Sequence, residues 1–177
     1  VIDGGADNDS ITATSGDNTI DAGEGADVIT LSGGHNNVQG NSGTDSITAT
    51  GGTNVIDGGL DNDRIILING TNTVLGGTGN DSITANSGDN TIDAGEGTDV
   101  ITLNGGNNSI QGNSGTDSIT ATGGTNVIDG GLDNDTIILT NGTNTVLGGT
   151  GNDSISASSG DNTIDAGEGT DVITLSG

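Results

Sequence analysis

The 177-residue chain contains no Phe, Trp, Tyr, Met, Cys or Pro. An ordinary globular core is therefore excluded, because the hydrophobic 27% of the chain consists almost entirely of Ile, Val, Leu and Ala. The absence of Cys excludes a disulfide framework and a thiolate metal site. No stretch approaches the run of about 20 apolar residues that spans a bilayer, so we expect no membrane insertion.

Residues for nucleophilic catalysis are also scarce. The chain has one His, one Arg and no Lys, so no nucleophile–base pair can be assembled. His35 and Arg64 correspond to Asn107 and Thr136 one long repeat later, which indicates exposed substitutions and not conserved chemistry within the chain. A carboxylate pair copied in every repeat is better explained by structure than by an active centre. We therefore expect no enzymatic activity.

Basic side chains are nearly absent, and 25 acidic residues give a net charge of −24. Low hydrophobicity with high net charge normally predicts disorder, unless strict periodicity or a bound cation compensates. A polyanion is repelled by nucleic acid and by anionic membrane surfaces. Divalent cations are the natural partners.

The chain is an internal repeat with a period of 18 residues, and a longer repeat of 72 residues lies over it. The segment SGDNTIDAGEG, for example, begins at Ser15, Ser87 and Ser159. Alternation of apolar and polar residues predicts a strand in one half of each coil, with Ile47 and Ala49 facing inward. A second, shorter strand is predicted after an Asn in the other half, and closely spaced glycines exclude helices between them.

This pattern predicts an all-β, parallel β-solenoid of about ten coils with a thin aliphatic interior. One inward column alternates between Ala and Leu, from Ala13 and Leu31 to Ala157 and Leu175. Residues 1–177 should form a single uncapped repeat array that is an excerpt of a longer protein, since no capping repeat is present. A core this thin needs additional stabilisation.

One turn of each coil is rich in glycine and ends in an Asp in all ten copies. We call these residues the aspartate column: Asp9, Asp27, Asp45, Asp63, Asp81, Asp99, Asp117, Asp135, Asp153 and Asp171. Stacking would bring neighbouring carboxylates to about 4.8 Å, where each pair repels by roughly 3.5 kcal/mol at an effective dielectric constant near 20. A cation between adjacent turns would reverse this repulsion.

Calcium suits such turns because it accepts six to eight oxygen ligands in flexible geometry, whereas magnesium demands a tighter octahedron. We therefore predict multiple Ca²⁺ ions bound by the aspartate column along one edge. Additional ligands are expected from Asp7, Asp61 and Asp133. Backbone carbonyls should contribute near Gly23, Gly25, Gly43, Gly59, Gly77, Gly79, Gly95, Gly97, Gly115, Gly131, Gly149 and Gly151.

The half-coils DGGLDNDRI, LGGTGNDSI, DAGEGADVI and QGNSGTDSI resemble the G-G-x-G-x-D-x-U-x nonapeptide of RTX (repeats-in-toxin) hemolysin-type calcium-binding proteins. The resemblance covers the whole chain. It implies a right-handed parallel β-roll with calcium between successive turns. It also implies export by type I secretion, with folding outside the cell, and hence a secreted or cell-surface location.

The other half of each coil departs from this family pattern, because its Asp position is occupied by Asn. We call these residues the asparagine column: Asn18, Asn36, Asn54, Asn72, Asn90, Asn108, Asn126, Asn144 and Asn162. A primary amide carries both a donor and an acceptor, so stacked Asn side chains can bond to one another where stacked Asp could not. We therefore expect calcium along one edge and an asparagine ladder along the other.

Two features of the outer surface suggest contacts. Thr residues form a rank on one flat face, as in ice-binding solenoids: Thr12, Thr30, Thr48, Thr84, Thr102, Thr120 and Thr174. Apolar residues at Ile66, Ile68, Val28, Val100 and Val172 are candidates for lateral or filament contacts between copies.

The preferred function is structural: a calcium-binding adhesin stalk, extender, surface-layer or extracellular fibre segment of a large secreted or cell-surface protein. Calcium binding and folding should then be one event. The alternatives are the secretion and folding module of an exported RTX toxin or enzyme, and an ice- or surface-binding face that uses the Thr rank.

Overall fold

A computed structural model describes residues 1–176, which form twenty β-strands in two ten-stranded sheets without any helix in this range. The long-strand sheet contains β1 (Ile2–Ala6), β3 (Asn18–Glu24), β5 (His35–Ser42), β7 (Thr53–Leu60), β9 (Thr71–Thr78), β11 (Asp89–Glu96), β13 (Asn107–Ser114), β15 (Thr125–Leu132), β17 (Thr143–Thr150) and β19 (Asp161–Glu168). The short-strand sheet contains β2 (Ser10–Ala13), β4 (Val28–Ser32), β6 (Ser46–Thr50), β8 (Arg64–Ile68), β10 (Ser82–Ala85), β12 (Val100–Leu103), β14 (Ser118–Thr122), β16 (Thr136–Thr140), β18 (Ser154–Ala157) and β20 (Val172–Leu175).

Every strand pairs in parallel with the equivalent strands of the neighbouring coils, and the first and last strands of each sheet have one such neighbour. In β5 and β7, for example, Asn36 is opposite Asn54 and Val38 is opposite Ile56. The sequence separation of paired residues is 18 throughout, so equivalent positions of the repeat stack along the molecule. The prediction of an all-β parallel solenoid with 18-residue coils is confirmed.

The strand that follows the asparagine is the longer of the two, so the prediction of a shorter second strand is wrong. Strand β7 has eight residues, whereas β8 has five. The ladder continues through the glycine-rich segment, where Gly59 remains paired with Gly77. Gly59 has a φ of 111°, and a Cβ there would lie 2.1 Å from the Asn41 carbonyl oxygen. Glycine therefore suits this crowded, positive-φ position, although the ladder also continues through Asn41 at the equivalent position of β5.

The interior contains aliphatic side chains from both strands of each coil, such as Val38 from β5 and Ile47 and Ala49 from β6. Ile29, Leu31, Ile47 and Ala49 are completely buried, and the alternation of Leu and Ala continues along the stack. Small and large side chains therefore fill the narrow space between the two sheets in alternate layers. Ala22 and Ala94 are also completely buried. They lie on β3 and β11, at a position where most coils have glycine.

The predicted Thr rank lies on the outer face of the short-strand sheet, where Thr30, Thr48 and Ile66 are in register. Val28, Val100 and Val172 are 50%, 48% and 60% exposed on the same face, whereas Ile66 and Ile68 are half-buried. The long-strand sheet also exposes apolar residues that the sequence analysis did not single out: Val55, Leu60, Leu75, Val127, Leu132 and Leu147. Within residues 1–176 there is no helix of the length and apolarity needed to cross a membrane.

Candidate metal centre

The aspartate column lies immediately before the short strands, and most of it is buried. Asp27, Asp45, Asp63 and Asp81 are at most 2% exposed, as are the equivalent residues up to Asp153. One carboxylate oxygen of each residue has a regular partner: Oδ1 accepts a hydrogen bond from the backbone N–H of the column residue one coil earlier. Nine such bonds, at 2.7–2.9 Å, join Asp9 to Asp27 and so on to Asp171.

The second carboxylate oxygen, Oδ2, has no hydrogen-bond partner. This holds for nine members of the column whose Oδ2 atom is buried: Asp9, Asp27, Asp45, Asp63, Asp81, Asp99, Asp117, Asp135 and Asp153. A buried carboxylate oxygen without a partner is costly, because it has lost its hydration and gained nothing in return. The column therefore requires a proton or a cation beside each Oδ2.

In most turns Oδ2 lies close to the glycine five residues before the Asp. At Gly40, the point where a Cβ would lie is 2.4 Å from Oδ2 of Asp45 and 2.3 Å from the carbonyl oxygen of Gly58. At Gly58, the corresponding distances are 2.5 Å to Oδ2 of Asp63 and 2.6 Å to the carbonyl oxygen of Gly76. A carboxylate oxygen and a backbone carbonyl oxygen thus approach the same glycine too closely for a Cβ to fit between them, and oxygen donors of this kind suit a hard cation such as Ca²⁺.

Burial raises the pKa of the central carboxylates. The pKa rises to about 7 for Asp63 and Asp135, and to about 6 for Asp81 and Asp117. Desolvation is the largest cause, the hydrogen bond from the neighbouring backbone opposes it, and repulsion from nearby carboxylates adds to it. Without a cation, ionisation of these carboxylates is therefore shifted to a higher pH than that of an ordinary Asp.

The turn glycines adopt left-handed backbone conformations. All twelve glycines predicted to present carbonyls have φ between 104° and 137°. Backbone hydrogen bonds join these turns to the neighbouring coils. The N–H of Gly25, for example, donates a 2.9 Å hydrogen bond to the carbonyl of Ser42. These contacts fix the turn backbone beside the aspartate column.

Asp7, Asp61 and Asp133 lie in the same turns but have exposed side chains. They occupy positions that are glycine in other coils and have φ of 73–75°. Asp61 is close enough to raise the pKa of Asp45 and Asp63. Asp133 likewise raises the pKa of Asp117 and Asp135. Asp61 and Asp133 therefore increase the negative potential at the buried column.

Side-chain carboxylates alone do not form a metal cage. In residues 1–176, no three His, Cys, Asp or Glu side chains come together around a common point. A site in this column would therefore combine one or two carboxylates with backbone carbonyls, as the glycine-rich turns allow.

The asparagine column on the opposite edge has the predicted ladder. Nδ2 of each Asn donates to Oδ1 of the next, as from Asn54 to Asn72 at 2.7 Å. Eight such bonds, at 2.7–2.8 Å, run from Asn18 to Asn162. The second amide hydrogen reaches a turn carbonyl, as from Asn54 to Gly51 at 3.0 Å. This edge satisfies its own polar groups and needs no cation.

His35 and Arg64 are exposed on the outer surface, as the repeat comparison indicated. Two structural features of the column were not predicted from the sequence. One is the bond from each Asp N–H to the next Oδ1; the other is the position five residues before each Asp, which borders Oδ2. The sequence did contain a signal for the second, because only Gly or Ala occurs there in all ten copies.

Comparison with known families gives a match over nearly the whole chain. The profile of the RTX calcium-binding nonapeptide repeat (4 copies) matches residues 3–38, 30–65, 68–101, 102–137 and 139–173. A comparison with curated proteins gives no match.

Proposed function

Because the chain belongs to the RTX calcium-binding nonapeptide repeat family, we propose that it is a rigid, calcium-dependent structural segment of a secreted or cell-surface protein. Calcium binding follows from the family. The proposed mechanical role rests chiefly on the buried aspartate column, in which Oδ2 has no hydrogen-bond partner. The stability of the stacked coils would then depend on a bound cation. Two continuous parallel sheets then give a stiff rod whose length is set by the number of coils, at about 4.8 Å per coil.

The proposed ligands are the predicted ones. Oδ2 of each column residue and the carbonyls of the turn glycines would hold the ions, with Asp7, Asp61 and Asp133 at the periphery. A bound dication would supply the positive charge that each Oδ2 lacks and remove the repulsion between neighbouring carboxylates. The ions would occupy one edge only, since the asparagine column already pairs its own donors and acceptors.

Several parent proteins are compatible with such a segment. An adhesin stalk, extender, surface-layer or fibre segment uses its stiffness, whereas an exported toxin or enzyme uses its calcium-triggered folding during type I secretion. We favour the stalk or fibre role because the solenoid is uniform over ten coils. Ice binding is a weaker proposal, since Ile66, Ile138 and Ser156 interrupt the Thr rank.

Lateral association is the second part of the proposal. Val28, Val100 and Val172 are well exposed at intervals of four coils, with Ile66 and Ile68 half-buried on the same face. These exposed apolar residues recur about every 19 Å along the axis. Two rods could therefore align their apolar residues over several repeats. Sedimentation velocity in calcium tests this, with Val28→Ser plus Val100→Ser expected to reduce association.

Circular dichroism tests the main proposal. In excess chelator at neutral pH, the chain should be disordered, and millimolar calcium should restore the strand signal. Magnesium at the same concentration is the control and should restore much less. Strand content that is unchanged by chelation would contradict the proposed role of the ions.

A further inference from the structure

The 25 acidic side chains are distributed unevenly around the solenoid. Eleven lie in strands of the long-strand sheet, ten form the aspartate column, and four lie in turns, at Asp7, Asp17, Asp61 and Asp133. None lies in any of the ten short strands within residues 1–176. The strands on one side of a strongly acidic rod therefore carry no carboxylate. We call the outer surface of the short-strand sheet the carboxylate-free face.

The side chains on the carboxylate-free face are of few kinds. In each short strand, the residues that alternate with the inward ones are Ser, Thr, Val or Ile, apart from Arg64. Some of the aliphatic ones are well exposed; Val28 and Ile138, for example, are 50% and 41% exposed. Short and β-branched side chains on a continuous sheet form a surface that suits packing against a second sheet.

Charge restricts the surfaces through which two copies of this chain can meet. Each copy has a net charge of −24, and opposed like charges across a contact are unfavourable. Contact through the long-strand sheets would oppose exposed acids such as Asp21 and Glu96, whereas contact through the carboxylate-free faces opposes none from the strands. The two long-strand sheets would then be about 30 Å apart, because stacked sheets lie about 10 Å apart. This separation exceeds the Debye length of about 8 Å at physiological ionic strength.

The size of the face matches what a stable dimer needs. The short strands have four or five residues, which gives a width of about 15 Å at about 3.3 Å per residue. Ten coils give a length of about 48 Å at about 4.8 Å per coil. The face therefore covers about 700 Å² per copy, close to the roughly 800 Å² per partner of a standard-size protein interface.

The one charged residue of the face lies at its margin. Arg64 is the first residue of β8, next to the aspartate column, and its side chain is exposed. A long side chain in this position can pack its aliphatic stem and keep its guanidinium in water. Arg64 is therefore compatible with contact over the rest of the face.

We propose that two copies of this chain associate through their carboxylate-free faces, with the short-strand sheets packed face to face. This inference deepens the lateral association proposed above, because it identifies the whole face as the interface and places Val28 and Val100 inside it. It also rests on calcium in the aspartate column, which lies immediately before the short strands. Bound calcium offsets the charge along that margin of the interface.

Sedimentation velocity of the full chain in saturating calcium tests the inference. The native chain should form a dimer. Thr48→Asp with Thr120→Asp places one carboxylate at the middle outward position of β6 and of β14. This variant should raise the dimer dissociation constant about tenfold or more, because the added charges lose their hydration and face each other.

The matched control is Thr73→Asp with Thr145→Asp, which adds the same two charges at exposed positions of the long-strand sheet. It should leave the dissociation constant nearly unchanged, because those charges lie well beyond a Debye length from the partner. Thermal melting in calcium compares the folding of the variants. A third variant, Thr48→Lys with Thr120→Lys, should associate with the Thr48→Asp, Thr120→Asp chain when the two are mixed, which a misfolded chain would not do.

A native chain that stays monomeric in calcium would overturn the inference, as would equal dissociation constants for the two aspartate variants. A monomeric native chain that produces thermal hysteresis would assign the carboxylate-free face to ice instead of to a second copy. None of these results bears on calcium-dependent folding, which circular dichroism in chelator measures separately. Failure of the interface and failure of the proposed calcium-dependent segment are therefore distinguishable.

Discussion

The backbone N–H of Asp63 donates a 2.7 Å hydrogen bond to Oδ1 of Asp81, the equivalent residue one coil later. The same carboxylate has a buried Oδ2 without a partner. Asp81 therefore has two separate roles, because one oxygen supports the neighbouring turn and the other requires a proton or a cation. Substitutions that remove the charge and those that remove the acceptor should have different effects.

Asp81→Asn keeps an oxygen acceptor for the Asp63 N–H and removes the charge. We expect it to reduce the number of bound calcium ions and to increase the stability of the calcium-free chain. Asp81→Ala also leaves the buried N–H of Asp63 unpaired, which costs about 1–3 kcal/mol. Chemical denaturation of both variants, with and without calcium, checks this. If the two variants had the same stability both with and without calcium, the two oxygens of Asp81 would not have separate roles.

Acid should partly replace calcium. Asp63 and Asp135 have pKa values raised to about 7 from an ordinary value of 3.8. Between about pH 4 and pH 7 the folded, calcium-free chain therefore binds more protons than the unfolded chain, so its stability falls as pH rises through this window. We expect more strand signal at pH 4 than at pH 7 in calcium-free buffer, measured by circular dichroism.

The same linkage predicts that calcium binding releases protons near pH 6, where the two compete for the column. Titrations in buffers with different ionisation enthalpies measure this release. A chain in which Asp63 and Asp135 are both replaced by Asn provides the control and should release fewer protons. Calcium-free strand content that increases with pH would contradict the proposed burial of these carboxylates.

The sequence determined the fold unusually well because one 18-residue pattern is repeated throughout. Ile47 and Ala49 could be assigned to the interior, and the Asn54 to Asn72 ladder could be anticipated, since stacking brings equal positions together. The bond from the Asp63 N–H to Asp81 could not be predicted, because it depends on a side-chain rotamer and on backbone direction in the turn. The extended strand at Gly59 was also missed, since glycine normally indicates a strand end.

Asn72→Asp should destabilise the asparagine column even in saturating calcium. Asn72 accepts a bond from Asn54 and donates one of 2.8 Å to Oδ1 of Asn90. Aspartate would retain the acceptor but place a buried charge against the Asn90 oxygen, at a cost of about 1–3 kcal/mol or more. Thermal melting measures the loss. Thr73→Ala, on the exposed face of the same strand, is the control and should change stability little.

Gly77→Ala tests whether the turn backbone requires glycine for space or only for its dihedral angles. Gly77 has a φ of 114°, and a Cβ would lie 2.0 Å from the carbonyl oxygen of Gly59. Gly51 also has a positive φ, of 66°, but a Cβ there would meet no atom within 4 Å. Gly51→Ala should therefore cost only the left-handed backbone strain, about 1–2 kcal/mol.

Gly77→Ala adds a clash with rigid backbone to that strain, so its loss of stability should be clearly larger. It should also weaken calcium binding at the adjoining turns, because the strand must shift away from Gly59. Melting temperatures in saturating calcium and titration of the folded variants measure the two effects. If both variants lose the same stability, the close approach of neighbouring coils does not determine the glycine at this position, and conformational freedom alone accounts for it.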